Sequence, residues 1–231
     1  LINCRPDEVI FTSGGTESNN FAIKGYAYAN EHRGKHIITS VIEHPAVMEV
    51  CRYLESKGFK ITWLTVDGSG MVNPAEVEAA ITAGTILISI MHANNEIGTI
   101  QPVAGIAEIA RRNKIAFHTD AAQSVGKYPV DVKKMGIDLL SIAGHKLYAP
   151  KGVGALYIRD GIILEKLIHG ADHEQNKRAG TENVPEIAGL GKACETARES
   201  LDKNIGHMQK MRDMLQETLI ESLEGIMVNG H

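Results

Sequence analysis

The sequence predicts an α/β fold: a mixed, mainly parallel seven-stranded sheet held between helices. Three observations lead there. Short apolar runs alternate with stretches whose apolar residues recur at helical spacing, the order expected of strands joined by crossover helices. The chain has 231 residues, 43% of them hydrophobic, enough to close one sizeable core. Pro45, Pro74 and Pro102 stand at or near the starts of helical stretches, where a missing amide is tolerated.

In order, the predicted strands are "EVIFTS" (8–13), "KHIITS" (35–40), "FKITWLTV" (59–66), "TILISIMHA" (85–93), "KIAFHTD" (114–120), "IDLLSIAG" (137–144) and "GVGALYIR" (152–159). Each is short and rich in β-branched or aromatic residues. "TESNNFAIKGYAYANEH" follows the first strand as a helix, and "PAVMEVCRYLESKG" follows the second, opening at Pro45 and stopping at Gly58. "VDGSG" (66–70) reads as a tight turn, and "NPAEVEAAI" and "VAGIAEIARRN" as the next helices. After residue 184 the texture becomes long helix, "VPEIAGLGKACETARESLDKN" and then "IGHMQKMRDMLQETLIESLEG", read as two helices separated near Asn204 and Gly206.

A net charge of -4 with no long basic run gives no reason to expect nucleic acid or an acidic membrane surface as a partner. Cys4, Cys51 and Cys194 lie far apart, outside any CxxC pair or zinc spacing, so neither a disulfide framework nor a metal site is predicted. Eight methionines and free thiols suit a reducing cytoplasm, and no apolar run reaches the roughly 18 residues that span a bilayer. The chain opens "LINCRPDEVIFTS" without Met and closes on a fresh apolar run, "LEGIMVNGH", which predicts a fragment of a longer protein.

Five strands are followed by loops that bear chemistry. "SGGT" after the first would aim backbone amides and the Thr16 hydroxyl above the sheet edge, as an anion cradle or as an ordinary turn with Thr16 capping a helix. His44 in "EHPAV" suits stacking or proton transfer, or else simple capping. In "HANNEIGTIQP" adjacent amides, Asn94 and Asn95, end the most apolar run, either as a turn or as ligand-binding groups. Asp120, with Gln123 three residues on, ends a strand where a crevice would lie, unless it caps a helix. Lys146 follows His145 at a further strand end, as a reactive amine or a snorkelling side chain. Singly each bland reading competes; five together point to one site.

Pyridoxal phosphate needs that set. It takes a lysine to hold its aldehyde as a Schiff base, an acid beside its pyridinium nitrogen, an anion cradle for its phosphate and a group against its ring. Lys146, Asp120, Gly15 with Thr16, and His44 fill those roles.

The motifs "SGGTESNN", "EHPAV", "HANNEIGTIQP", "HTDAAQSVGK", "GHKLYAPKGVGALY" and "RAGTENV" together resemble the NifS/IscS-type cysteine desulfurases, class V aminotransferase relatives of pyridoxal-phosphate fold type I. The resemblance runs from residue 8 to about 195. It implies that Lys146 bonds the cofactor aldehyde, His145 helps hold the phosphate with Gly15 and Thr16, and Asp120 pairs with the ring nitrogen. It further implies that Gln123 bonds the ring oxygen, that His44 stacks on the ring and shuttles protons, and that Asn95 lies near the ring oxygen and substrate carboxylate. Thr181 would reach the phosphate of a neighbouring subunit in a homodimer.

On the same resemblance, residues 1–195 are a cofactor-binding large domain lacking its beginning, and 196–231 a helix leading to a small domain. The substrate would be L-cysteine, the products L-alanine and a persulfide sulfur passed to an acceptor such as an iron–sulfur scaffold or used in tRNA thiolation. Three features depart from the family pattern. Ala143 stands where many relatives place a phosphate-binding serine, the loop "GADHEQN" replaces a glycine-rich one and adds Asp172, and the persulfide-forming cysteine motif does not occur. A selenocysteine lyase or another class V enzyme shares the cofactor motifs, and a catalytically silent cofactor-binding fragment is the alternative of a different class.

Overall fold

The computed structural model describes residues 1–231. Seven strands form one sheet: β1 (Val9–Thr12), β2 (His36–Ser40), β3 (Lys60–Leu64), β4 (Thr85–Ser89), β5 (Ala116–Asp120), β6 (Leu139–Ala143) and β7 (Gly154–Ile158). Their order across the sheet is β1-β7-β6-β5-β4-β2-β3. Pairing is parallel for β2 with β3, β2 with β4, β4 with β5 and β5 with β6, whereas β7 is antiparallel to both β1 and β6. Only β7 therefore runs against the rest, and the sheet is mixed and mainly parallel as predicted.

Strands β2, β4, β5, β6 and β7 are buried at every position, as strands covered on both faces must be. On one face lies a helical stretch made of α1 (Gly15–Asn20), a π-helical turn (Phe21–Gly25) and α2 (Tyr26–Ala29), beside α3 (Pro45–Glu55). Phe21, Ile23 and Tyr26 from the first and Val47, Cys51 and Leu54 from α3 pack there with Ile10, Ile37, Leu139 and Leu156 of the sheet. The other face takes α4 (Pro74–Ala79), α5 (Val103–Arg112), α6 (Val132–Met135) and the first part of α8 (Val184–Ser222), with the short α7 (His173–Asn176) between β7 and α8 in the chain. Val77, Ile106, Ala110, Val132 and Leu190 pack there against Ile38, Ile88, Phe117 and Leu140. The result is one sheet with a core on each side.

Helix ends follow local chemistry. The Asn73 side chain caps α4 by accepting from the Ala75 amide, and Asp131 caps α6 by accepting from the Lys133 and Lys134 amides. Gly58, at φ +87°, closes the chain after α3, as predicted.

Three features differ from the sequence expectation. The predicted run 85–93 leaves the sheet at Ser89, although the Ile90 and His92 amides still donate to His118 O and Asp120 O at 3.2 and 2.9 Å. Beyond them the chain turns about Asn94, whose side-chain oxygen accepts from the Glu96 and Ile97 amides. Strand β6 likewise ends at Ala143, so Lys146 belongs to a 3-10 turn, Gly144–Leu147, rather than to the strand end. Finally, the two C-terminal helices are one, α8, of 39 residues. A lone Gly206 costs a helix only about 1 kcal/mol, and neither a proline nor a left-handed residue interrupts α8 near it.

Candidate functional site

Because β1, β2, β4, β5 and β6 point the same way, the loops that leave them open at one edge of the sheet, where α/β folds bind ligands. There they surround a cavity of about 250 Å³ lined by Gly15, Thr16, His44, Asn95, Asp120, Gln123, His145 and Lys146, with Ala46, Met91, Ala93, Ala122 and Ala143 between them. Eight of the nine residues singled out in the sequence meet here. The ninth, Thr181, is exposed on the loop before α8 and does not line this cavity, and Asp172 does not line it either.

The wall after β1 is the start of α1. The first-turn amides of a helix have no intrahelical acceptor, and Gly15 and Thr16, which begin α1, line the cavity. Two close approaches seat this turn. A Cβ on Gly154 would lie 2.6 Å from both Gly14 Cα and Ile142 O, so only glycine lets β7 pass beneath the turn. A Cβ on Gly15 would meet the Ala143 Cβ at 3.0 Å, so the helix start and the end of β6 touch through their smallest residues. From outside, Arg178 grips Glu17 with two bonds, at 2.8 and 3.2 Å, while Glu17 accepts from the Ser13 amide at 2.7 Å. Burial alone would raise the Glu17 carboxyl, but Arg178 and Ser13 hold it below its ordinary value.

His44 is the N-cap of α3: its Nδ1 accepts from the Ala46 amide at 3.1 Å. A neutral imidazole that accepts at Nδ1 carries its proton on Nε2, and Nε2 makes no bond within the chain. Asn95 also lines the cavity, its side-chain amide donating to Glu96 at 2.9 Å.

Asp120 forms the floor at the end of β5 and is only 6% exposed. Asn19 Nδ2 donates to its Oδ2 at 2.7 Å and the Ala122 amide to its Oδ1 at 3.0 Å. Burial nevertheless pushes the carboxyl above its ordinary value, offset by those two bonds and by the His44 charge. The carboxyl has no cationic partner among the ion pairs of the chain. One pleat below, His118 bridges Ser89 and Ser141 at 2.8 and 3.0 Å, and burial pushes it down to about 3, so it stays neutral.

Lys146 is half-buried in its turn, between exposed His145 and buried Leu147. Gln123 lines the cavity beside it and accepts from Lys127 Nζ at 3.2 Å. Burial, and secondarily the Lys146 charge, depress the Lys127 ammonium. No cysteine lines the cavity. Cys51 is fully buried under α3, where burial pushes its thiol up to about 12, and burial raises Cys4 and Cys194 as well.

Sequence reasoning missed the residues that support this set. Asn19 and Glu43 are buried polar side chains next to cavity residues, and each sits within a quoted motif; buried Asn94, named in the sequence as a turn or ligand-binding amide, forms the turn. The available signal was a polar side chain embedded in an apolar neighbourhood, which a motif reading assigns to the turn itself.

Known proteins match the whole chain. The aminotransferase class-V family model covers residues 1–231. The cysteine desulfurase IscS of Dictyoglomus turgidum is 55% identical over 229 residues, 99% of this chain and 58% of its own length. Among solved structures, a NifS-like protein superposes with a TM-score of 0.91 at 44% identity, over 94% of this chain and 60% of that one. The protein SspA, solved in complex with cysteine, gives 0.81 at 50% identity over 83% of this chain and 56% of its own. The chain thus spans less than two thirds of the relatives it matches. The agreement of fold, cavity and end-to-end match has one reading: the chain belongs to the aminotransferase class-V family.

Proposed function

We propose that this chain is the pyridoxal-phosphate-binding part of a cysteine desulfurase, which converts L-cysteine to L-alanine and hands the sulfur to an acceptor. The observation that carries the reading is the meeting of Lys146, Asp120 and His44 around one cavity, delivered by loops from three different strands. The cavity fits the cofactor chemically. A desolvated carboxyl without a cationic partner suits a protonated ring nitrogen, and first-turn amides at Gly15 and Thr16 suit a phosphate.

Bound there, pyridoxal phosphate supplies an electron-withdrawing ring that makes the substrate Cα–H acidic. Asp120 is the ring-nitrogen partner, and it gains the cation that relieves its burial. Lys146 anchors the cofactor through its amine and then takes and returns the Cα proton as general base and acid. His44 lines the cavity with its Nδ1 held by α3 and its Nε2 unpartnered within the chain, so the imidazole could both lie against a ring and pass a proton. Gln123 would bond the ring oxygen through its amide nitrogen, since its side-chain oxygen is taken by Lys127. Gly15, Thr16 and His145 hold the phosphate, and Asn95 serves the ring oxygen and substrate carboxylate.

The homodimer, Thr181 as a contributor to the neighbouring subunit's phosphate site, a cytoplasmic location and an acceptor such as an iron–sulfur scaffold belong to the same reading. So does the division into a large domain, 1–195, and a helix beginning a second unit, 196–231. L-cysteine as substrate is supported by SspA, which is solved with cysteine, and by the names of the relatives. A second reading has its own observation: no thiol lines the cavity, so these residues by themselves bind cofactor without transferring sulfur.

Adding pyridoxal phosphate to the protein is expected to give a shifted absorbance that borohydride fixes onto a lysine and Lys146→Ala abolishes. A reducible lysine adduct persisting in Lys146→Ala refutes the assignment. Release of alanine from L-cysteine by these 231 residues alone would refute the silent reading.

A further inference from the structure

The wall that carries His44 is held from behind by a residue outside the cavity lining. Glu43 precedes His44 in the turn after β2 and is 4% exposed. Its Oε1 accepts from Ser40 Oγ at 2.7 Å, which closes its own turn, and from the Met91 amide at 2.9 Å, which crosses to the loop after β4. A second bond makes the same crossing, with Asn94 Nδ2 donating to Ile42 O at 3.0 Å. Met91, Ala93 and Asn95 of that loop line the cavity together with His44 and Ala46, and β2 and β4 are neighbours in the sheet, so these two bonds join adjacent walls.

A carboxyl is a costly choice for a buried turn, where a smaller hydroxyl or amide would satisfy one amide at less desolvation. Asp120 of β5 and the Cys51 thiol of α3 are the titratable groups coupled to Glu43 from the elements around it, alongside adjacent His44. Burial pushes its carboxyl up to about 8, so it is chiefly uncharged at neutral pH. An uncharged carboxyl retains the acceptor that both bonds use. The Ala46 amide holds the His44 ring at Nδ1, while Glu43 holds the turn from which the ring projects.

We propose that Glu43 is a positioning residue that clamps the His44 turn to the Met91–Asn95 loop and so sets the imidazole over the cavity. The effect on the cofactor rests on the function proposed above, whereas the clamp itself does not.

The experiment compares Glu43→Gln, Glu43→Ala, His44→Ala and the Glu43→Ala/His44→Ala pair. Pyridoxal phosphate affinity is read by absorbance titration, and the His44 ring nitrogens by ¹⁵N NMR of the cofactor-free protein. Glu43→Ala is expected to weaken the cofactor about tenfold, the scale on which supporting residues act on metal ligands, and to shift the His44 nitrogen signals. Glu43→Gln keeps the Oε1 acceptor and restores both. In the His44→Ala background, Glu43→Ala adds less than about twofold, because the effect passes through His44.

An equal loss with and without His44, or unchanged nitrogen signals in Glu43→Ala, overturns the clamp. Should Glu43→Ala not fold, Asn94→Asp removes the Nδ2 donor to Ile42 O while keeping the oxygen that accepts from the Glu96 and Ile97 amides, and nitrogen signals like those of the unaltered protein there overturn it equally. Failure of the unaltered protein to bind pyridoxal phosphate overturns the cofactor reading instead, and the NMR comparison still decides the clamp.

Discussion

Raising the pH from 6.5 to 8 is expected to destabilise this protein through one buried carboxyl. Glu43 is fully buried with its folded value pushed up to about 8 from an ordinary 4.5. Across that interval the unfolded chain has already lost the proton while the folded chain keeps it, so stability falls as pH rises through the folded value. Buried His92 and His118 work the other way, with folded values near 4 and 3 against an ordinary 6.5, and their stabilising share is lost only as pH falls below about 6.5. Asp120, also raised by burial, acts in the same direction, so the comparison with Glu43→Gln is what isolates Glu43 above pH 6.5. At about 1.36 kcal/mol per pH unit, 1.5 units correspond to roughly 2 kcal/mol, a large share of a typical total of about 5–15 kcal/mol. Urea unfolding at pH 6.5, 7.2 and 8 measures it directly. The unaltered protein is expected to lose about 2 kcal/mol more across this series than Glu43→Gln, which cannot ionise at that position. Parallel slopes for the two proteins would show that Glu43 is already ionised in the fold and refute the reasoning.

Gly154→Ala places a methyl 2.6 Å from Gly14 Cα and Ile142 O, both backbone atoms without freedom to give way. A loss of about 2 kcal/mol or more in urea unfolding is expected, with weakened phosphate-dependent cofactor binding. Gly206→Ala, in open space on an uninterrupted helix, is expected to stabilise α8 by up to about 1 kcal/mol, seen as a rise in helical melting temperature; a fall would restore the break once read near Asn204. Iodoacetamide at pH 8 is expected to label Cys4 and Cys194 before Cys51, whose fully buried thiol sits at about 12; mass spectrometry of timed digests gives the order.

Much of the fold was legible because its signals are local. Each of the seven strands lies inside a predicted apolar run, since a strand covered on both faces has to be apolar along its length. Prolines and Gly58 marked helix ends through their own dihedral limits. Errors arose where a local signal was outweighed. Gly206 and Asn204 look like a stop, yet helical hydrogen bonding along α8 tolerates both. The apolar run up to His92 looks like strand, yet the buried Asn94 side chain supplies a turn.

The sequence by itself determined which chemical groups this protein owns and in what order they leave the sheet: a glycine-rich helix start, His44, Asn95, Asp120 and Lys146, each just after a strand. Only the tertiary structure decided that they meet. Parallel pairing of β2, β4, β5 and β6, with β1 reached through a single reversed strand, puts every one of those loops at the same edge. Tertiary structure also decided what holds them there, because the bonds of Asp120 to Asn19 and of Glu43 to Met91 join residues far apart in the chain. Hydrogen bonds of that kind depend on distance in space, and chain order carries no record of it.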